Sequence, residues 1–333
     1  MKKLITLSLL TLAAFGLVGC GTTPVDAAAA NDRVIAAMSK MTSTDMASFV
    51  LSIEAEASVS ESFDYIDEGE TDEEFTASGS ASLELRANDI WGEAEASLHA
   101  EVSFTESEPG SSMSMTQTVN GYLKDGYVYA DGSQATEIFE ISSGDETQVK
   151  YFVGNLAEAL GISSEVTSIS EEVFDMEQLL PFLTDIADTK ATEKNGDLTV
   201  TYNITIDDIV NLYVDMMEMQ GVDLTSYTSS QLDEIMSSLQ GEIESMLTLT
   251  KLQIVLGISA DGYFNKFYVD VDLDITNEAT EYDYSAGSYV AYATSEISIA
   301  GFVHIDLTDV NKTVAVTFPD DLDDYVEVSN ELK

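Results

Sequence analysis

Alternation between apolar and polar residues limits the fold of this chain more than any other feature of its sequence. Between residues 51 and 60 every second residue is apolar or small, and each residue between them is serine or glutamate. Similar alternation returns at residues 75–87, 94–104, 198–206, 252–258, 267–275 and 297–307. A period of two is typical of a strand that buries one face, so we expect antiparallel strands with one solvated face.

The order of these patterns predicts two β-meanders, at residues 45–132 and 198–318. Segments at 148–188 and 207–248 carry apolar residues at helical spacing instead, and the first has Phe152, Leu156 and Leu160 on one stripe. An earlier helix, capped by Asn31 or Asp32, is expected before the first meander. Two acidic stretches, 61–74 and 277–288, are predicted to be long solvated connections. Sheet halves and amphipathic helices must cover one another's apolar faces, which gives an α+β fold.

Small side chains are concentrated on the apolar face of the first meander. Such a face either lets helices pack closely against the sheet or leaves a cavity beneath it, and both alternatives remain open. The candidate cavity-lining residues are Ala55, Ala57, Ala77, Gly79, Ala81, Ala94, Ala96, Leu98 and Ala100.

Within this set, Ala94, Ala96, Leu98 and Ala100 alternate along one predicted strand, so all four share a face. The other five belong to the two preceding strands. If the three strands pair in order, the nine residues form one continuous patch.

Composition excludes some classes of partner. The chain has 333 residues, with 13 Lys and Arg against 61 Asp and Glu. A surface this acidic repels phosphate backbones and anionic headgroups, which argues against nucleic-acid binding and against peripheral membrane docking. The single cysteine rules out an intramolecular disulfide, so core packing must supply the stability.

The first twenty residues carry an export pattern. Lys2 and Lys3 precede an apolar run at 5–18, which has the length of a signal-peptide core and ends in Leu17-Val18-Gly19-Cys20. This resembles the lipobox of bacterial lipoproteins. The resemblance implies removal of residues 1–19, a diacylglyceryl group with chains such as palmitate on Cys20, and a lipidated tether at 20–30. It also implies a protein held on the extracytoplasmic face of the cell membrane. The order of the predicted elements gives one domain at 31–328.

The order of elements, an N-terminal helix, an antiparallel sheet, helices in mid-chain and strands again, is similar to the lipoprotein-carrier superfamily of LolA-like and LppX-like half-barrels. The hairpin Gly126-Tyr127-Val128-Tyr129 is similar to one found in such lipoproteins. The resemblance implies a strongly curved antiparallel sheet wrapped over several amphipathic helices, with acyl chains held between them. It assigns no ligand residue. This chain departs from the carriers that shuttle lipoproteins, which are themselves unlipidated.

No catalytic or metal-binding motif is found in the sequence. His99 and His304 lie on separate predicted strands and have no cysteine partner, which favours surface positions over a zinc site. Asp270, Asp272 and Asp274 have the spacing of a calcium loop, but Ile275 stands where that loop needs glycine. We therefore expect a protein that is not an enzyme and needs no cofactor.

Two functions remain. The first is binding or transfer of a lipid or other apolar ligand in a cavity between sheet and helices. The alternative is a structural or protein-interaction lipoprotein that acts through its acidic loops, with weak divalent-cation binding. The sequence identifies neither the ligand nor a protein partner.

Overall fold

A computed structural model describes residues 22–41, 47–65, 73–90, 92–131, 148–153, 183–184, 186–219, 227–283 and 288–327. Cys20 and the expected signal segment at residues 1–19 lie outside the described residues. The helices are α1 (Ala27–Met41), α2 (Ile206–Met219) and α3 (Ser229–Met246), with a 3-10 turn at Leu322–Asp324. The strands are β1 (Thr23–Val25), β2 (Phe49–Tyr65), β3 (Glu73–Asn88), β4 (Glu95–Glu108), β5 (Ser111–Lys124), β6 (Tyr127–Asp131), β7 (Gln148–Phe152), β8 (Asp188–Lys194), β9 (Asp197–Asn203), β10 (Leu247–Ile258), β11 (Phe264–Asp283), β12 (Ser288–Thr308) and β13 (Val326–Glu327).

All thirteen strands belong to one open sheet, in the order β1-β8-β9-β10-β11-β12-β2-β3-β4-β5-β6-β7-β13. Every neighbouring pair is antiparallel except β7 with β13. The two meanders, expected as separate sheet halves, are joined because β12 pairs with β2 along its length, with Val303 opposite Ala55. Each meander alone would expose a long unpaired edge here, and pairing the two edges satisfies both rows of backbone groups.

The predicted combination of an antiparallel sheet with helices is confirmed. The expected number of helices beneath the sheet was too high. The described residues contain three α-helices. Helix α1 contacts β8, β9, β10 and β11, and α3 contacts β10 and β11. These helices therefore pack on one part of the sheet rather than between two halves.

The largest core cluster lies where α1 packs on β8, β9 and β10. Ala30, Val34 and Ala37 form the buried stripe of α1. They meet fully buried strand residues, and Leu183 and Ile186 complete the cluster. The strand residues are Ala191, Leu198, Val200, Tyr202, Leu256 and Ile258.

The helix expected from residue 148 begins as a strand instead. Gln148–Phe152 is β7, which pairs with β6 and buries Val149 and Tyr151 on alternate positions. Pairing covers the otherwise exposed edge of β6, a tertiary demand that overrides the helical spacing of Phe152. Residues 188–194 of the same prediction form β8, and residues 154–182 lie outside the described part of the chain.

The segment expected to be a tether is largely structured. Thr23–Val25 is the edge strand β1, and α1 begins at Ala27. The Asp26 carboxylate accepts hydrogen bonds from the backbone N–H groups of Ala28 and Ala29, so Asp26 is the N-terminal cap instead of Asn31 or Asp32. The alanine run at 27–30 has high helix propensity, which extends the helix by a turn beyond the predicted start.

The two acidic connections are also shorter than expected. β2 continues to Tyr65 and β3 begins at Glu73, while β11 continues to Asp283 and β12 begins at Ser288. Both hairpins keep their ladders beyond the region of clean alternation. Tyrosine, threonine and valine have high strand propensity, and cross-strand hydrogen bonds continue even where neither face is apolar.

Candidate functional site

The structure brings eight of the nine candidate cavity-lining residues onto one face of the sheet. Directly opposed residues in an antiparallel ladder share a face. The registers oppose Ala55 to Ala81, Ala57 to Gly79 and Val59 to Ala77, and Leu83 to Ala100, Leu85 to Leu98 and Ala87 to Ala96. Ala94 lies just before β4.

Larger apolar side chains border these small residues on both sides. In one row across the sheet, Val303 of β12 flanks Ala55, and Val102 of β4 flanks Ala81. β12 and β4 are three strand spacings apart, about 14 Å. The result is a lane of small residues two strands wide, on β2 and β3, with raised apolar edges. We call this the alanine lane; it consists of Ala55, Ala57, Ala77, Gly79 and Ala81.

The apolar face around the alanine lane is partly open to solvent. Val303 and Val102 are 40% and 47% exposed, and Met113 and Met115 at the far side of β4 are 58% and 48% exposed. In contrast, Ala96 is buried with Ala87 and Leu123, and Ala94 packs against that cluster. Ala94 and Ala96 therefore belong to a close-packed group near the start of β4, and the five residues of the lane lie farther along. Leu98 and Ala100, both partly exposed, lie on β4 between these two groups.

Close backbone approach occurs beside the alanine lane at Gly301 of β12. Gly301 lies opposite Ala57 on one side and Val271 on the other. A Cβ at this position would overlap the carbonyl oxygen of Glu56 and lie 3.0 Å from the Cα of Ala57. Only glycine lets β12 and β2 approach so closely here, so the lane depends on this residue.

The opposite, polar face carries a depression of about 530 Å³ over the same strands. Its lining combines serine and threonine hydroxyls, carboxylates, one lysine and one phenylalanine with the small or apolar residues Ala57, Gly79, Val271, Ala300 and Gly301. Because six neighbouring strands contribute, the depression depends on the β12–β2 pairing, which joins residues more than 230 positions apart. The polar lining includes Glu56, Ser58, Ser78, Ser80, Ser103, Thr105, Lys251, Asp270 and Asp272, with Phe302 beside them.

An ion-pair and aromatic cluster borders this depression. Asp270 accepts from Lys251 Nζ at 3.3 Å and lies 3.2 Å from His304 Nε2. The His304 ring stacks on Tyr268 with centroids 4.2 Å apart. Tyr268 donates from its hydroxyl to both carboxylate oxygens of Asp306 at 2.8 Å. Burial, and then the Asp306 hydrogen bond, raise the pKa of Tyr268 to about 12.

The structure separates the two histidines and places the three aspartates on a strand. His99 on β4 contacts Asn120 at 2.7 Å, whereas His304 lies on β12 with β2 and β3 between the two strands. Asp270, Asp272 and Asp274 share the polar face of β11, and Asp274 accepts a hydrogen bond from Ser298 at 2.6 Å. Among the described residues, no three histidine, cysteine or acidic side chains are grouped to hold a metal ion.

A second depression, of about 370 Å³, lies where β9 leads into α2 beside β10. Thr205 and Asp208 cap α2 reciprocally at its rim: the backbone N–H of Thr205 donates to the Asp208 carboxylate at 2.8 Å, and the Asp208 N–H donates to the Thr205 hydroxyl at 3.3 Å. Gln253 donates to the Asn203 side-chain oxygen at 2.7 Å in the same lining, and the depression brings together none of the predicted site residues.

The acidic stretches of the two meanders meet at one end of the sheet. Glu74 of β3 and Glu296 of β12 both lie opposite Ser62 of β2. The turn Pro109–Gly110 between β4 and β5 lies at the same end, because alternate strands of an antiparallel sheet turn at the same side. We call this the acidic end; it comprises residues 61–65, 73–74, 106–111, 278–283 and 288–296.

No protein-family model matches the chain, and no curated protein matches it. Among solved structures it is similar to LprF from Mycobacterium bovis, with 13% identity over 89% of this chain and 99% of that chain, at a TM-score of 0.28. It is also similar to a Pseudomonas aeruginosa FadL homologue, with 7% identity over 80% of this chain and 92% of that chain, at a TM-score of 0.13. TM-scores this low assign no function to this chain. No helix within the described ranges has the length and apolar character needed to cross a bilayer.

Proposed function

We propose that this chain is a membrane-anchored extracytoplasmic lipoprotein that binds an acyl-bearing or other apolar ligand along the alanine lane, without catalysing a reaction. One observation carries the proposal: the lane of small residues has raised apolar edges, and Val303 and Val102 at these edges are accessible. A monomeric surface rarely leaves such a face open unless something covers it. The anchor is the lipid expected on Cys20.

The energetics favour a ligand that is enclosed. Each methylene that leaves water contributes about 0.8 kcal/mol, so ten fully buried methylenes give about 8 kcal/mol and a micromolar affinity. A chain lying on a flat face buries roughly half of its surface, which lowers the affinity to about millimolar. We therefore expect the sheet to curve around the ligand as a half-barrel, and a measured affinity distinguishes the two arrangements.

Binding of a fluorescent polyene fatty acid to the mature protein tests the proposal. We expect saturable binding near micromolar affinity, and loss of about tenfold in affinity for Ala81→Leu, which fills the lane. Ser82→Leu is the matched control, because Ser82 is the next residue on the same strand and faces the other side. Equal affinities for the two variants would place the ligand elsewhere.

The native ligand is tested by mass spectrometry of protein extracted from its own membrane. A bound lipid that is absent from Ala81→Leu would support the lane as its site. Protein that carries no lipid, together with a structure in which the lane is filled by the chain's own side chains, would reject the proposal.

The anchor is tested separately. Cys20→Ser removes the thiol that would carry the diacylglyceryl group. We expect the variant in the medium or as an uncleaved precursor, whereas the parent protein partitions with membranes. Mature Cys20→Ser protein that remains in the membrane fraction would show that another feature holds it there.

A second candidate function, protein interaction through the acidic end, is favoured by the convergence of stretches that lie more than 200 residues apart in the sequence. Asp64, Glu74 and Glu296 are exposed there. Because these residues lie within strands, neutralising substitutions test them without shortening the sheet. The test compares capture of a protein partner by the parent protein and by one variant with the three substitutions Asp64→Asn, Glu74→Gln and Glu296→Gln. Loss of capture while fatty-acid binding persists would favour this function. Capture and fatty-acid binding that both persist in the variant would reject it.

A further inference from the structure

Two carboxylates interrupt the apolar face of the sheet where the alanine lane ends. Glu61 of β2 lies on this face, opposite Phe75 of β3 on one side and Ile297 of β12 on the other. Glu106 of β4 lies on the same face, opposite Ala77, the lane residue nearest to the acidic end. Both glutamates are partly buried. The end of the lane is therefore bordered by one carboxylate on β2 and another on β4.

Protection of a sheet edge does not account for these two carboxylates. Inward-pointing charges protect edge strands from pairing with another chain, but β2 lies between β12 and β3, and β4 lies between β3 and β5. Glu61 accepts a hydrogen bond from the hydroxyl of buried Ser295 at 3.4 Å. Within the described ranges, neither Glu61 nor Glu106 forms an ion pair with lysine or arginine. A charge among apolar side chains costs free energy unless it is paired, so this face favours a positively charged partner.

The basic residues near the lane lie elsewhere. Every lysine and arginine in the described parts of β2–β5 and β10–β12 alternates with apolar-face residues and so lies on the polar face. Arg33 and Lys40 of α1 reach the turns at Gly196 and Asp261, at the opposite end of the sheet. The apolar face is therefore negatively charged where the lane ends. The basic strand residues are Arg86, Lys124, Lys251 and Lys266.

An aromatic ring lies between the two carboxylates. Phe75 continues the line of Ala77 and Ala81 along β3, and its side chain is partly buried. Directly opposed side chains have Cβ atoms about 5 Å apart and diagonal ones about 7–8 Å, which places Glu61 and then Glu106 near this ring. A cation within about 6 Å of an aromatic ring is attracted to its face, and the carboxylates add to this attraction. These groups suit an ammonium ion.

We propose that the ligand of the alanine lane is a single-chain amphiphile with an ammonium head, which lies over Phe75 between Glu61 and Glu106. This inference rests on the proposed function and narrows its ligand to one charge class. The shape of the lane favours an alkyl chain over a cationic helical peptide. Its edge strands are about 14 Å apart, so a helix about 10–12 Å across would rest on the valine edges, whereas an extended alkyl chain lies between them.

Equilibrium dialysis of the mature protein with three probes of equal chain length tests the inference. The probes are decylamine, decanol and decanoate, each below the concentration at which it forms micelles. We expect decylamine to bind at least about tenfold more tightly than decanoate, with decanol between them. Raising the salt concentration from about 0.01 to about 1 M shortens the Debye length from about 30 to about 3 Å. The preference for decylamine over decanol should then decrease.

Two double variants separate the lane from the overall negative charge of the chain. Glu61→Gln with Glu106→Gln should weaken decylamine binding by about tenfold and leave decanol binding unchanged. Unchanged decanol binding also shows that the lane is still folded. Glu54→Gln with Glu101→Gln is the matched control, because these exposed residues lie on the same two strands but on the polar face, both opposite Ser82. The control should bind all three probes like the parent protein.

Four results would overturn the inference. Equal affinities for the three probes, all weakened by Ala81→Leu, would reject the ammonium head and leave the proposed function intact. Equal losses of decylamine affinity in the two double variants would show that the overall charge sets the preference. A cationic helical peptide that displaces decylamine and binds more tightly would assign the lane to a peptide. Failure of all three probes to bind would reject the lane as a site, and with it both proposals.

Discussion

The Tyr202 hydroxyl donates a 2.7 Å hydrogen bond to the side-chain oxygen of Asn31, which joins α1 to the C-terminal part of β9 inside the main core. Tyr202 is fully buried and Asn31 is 8% exposed. Polar groups this deep are stable only when paired, because neither atom can turn to water. The bond therefore fixes the position of α1 on the sheet, as well as contributing to stability.

Tyr202→Phe should lower the free energy of unfolding by about 1–3 kcal/mol, because the substitution leaves the Asn31 oxygen buried without a donor. Denaturant unfolding followed by circular dichroism measures the change. Tyr213→Phe is the matched control, since Tyr213 is 50% exposed on α2 and should change stability little. Equal effects for the two variants would contradict a special role for the buried pair.

Stability should fall steeply at alkaline pH. Burial raises the pKa of Tyr202 to about 12, whereas an unfolded tyrosine titrates near 10. The folded state thus favours the neutral phenol. The contribution of the neutral Tyr202 to stability is complete below about pH 10 and is lost as the pH rises from about 10 to about 12. Two pKa units correspond to roughly 2–3 kcal/mol. Between about pH 9 and about pH 11, the free energy of unfolding should fall less for Tyr202→Phe than for Tyr213→Phe.

Gly301→Ala should destabilise the sheet by about 1–3 kcal/mol, because the added methyl group overlaps the Glu56 carbonyl at the β12–β2 pair. Gly241→Ala on α3 is the matched control. A Cβ there has no neighbour within 4 Å, and alanine favours a helix over glycine by up to about 1 kcal/mol. In thermal unfolding, Gly301→Ala should melt at a lower temperature than the parent protein, and Gly241→Ala at a higher one. An unchanged melting temperature for Gly301→Ala would mean that β12 and β2 can move apart freely.

Asp26→Ala should lower stability by about 0.5–2 kcal/mol through loss of the α1 cap. Asp32→Ala serves as its control, because Asp32 is exposed within the helix and has no capping role in this structure. Chemical denaturation of both variants checks the assignment. A larger effect at Asp32 would restore the later helix start expected from the sequence.

Local pattern was sufficient for the long strands and insufficient for the short ones. The alternation of Ala55, Ala57 and Val59 predicts both the strand and the face that these residues share, because period two needs no knowledge of the partner strand. β1, β7 and β8 have three to seven residues, too few for a clear period. Their conformation is set by the edges that they cover, so Gln148–Phe152 was wrongly predicted as a helix.

The alanine lane was predicted as a set of residues but not as a shape. Its members could be read from two strands, yet the edge formed by Val303 comes from β12, about 250 residues along the chain. No signal in either meander indicates that their outer strands pair. The acidic end was missed for the same reason, since Glu74 and Glu296 become neighbours only through Ser62 between them.

By itself, the sequence determined the strands, the face that each strand presents, the strongly acidic balance and the expectation of a lipid on Cys20, because each depends on residues close together in the chain. Only the tertiary structure decided that the two meanders form one sheet, that the helices cover only part of it, and that the acidic stretches of both meanders meet at one end. These features depend on pairing between strands that are distant in the sequence. Backbone hydrogen bonding permits many such pairings, and the packing of side chains selects one of them.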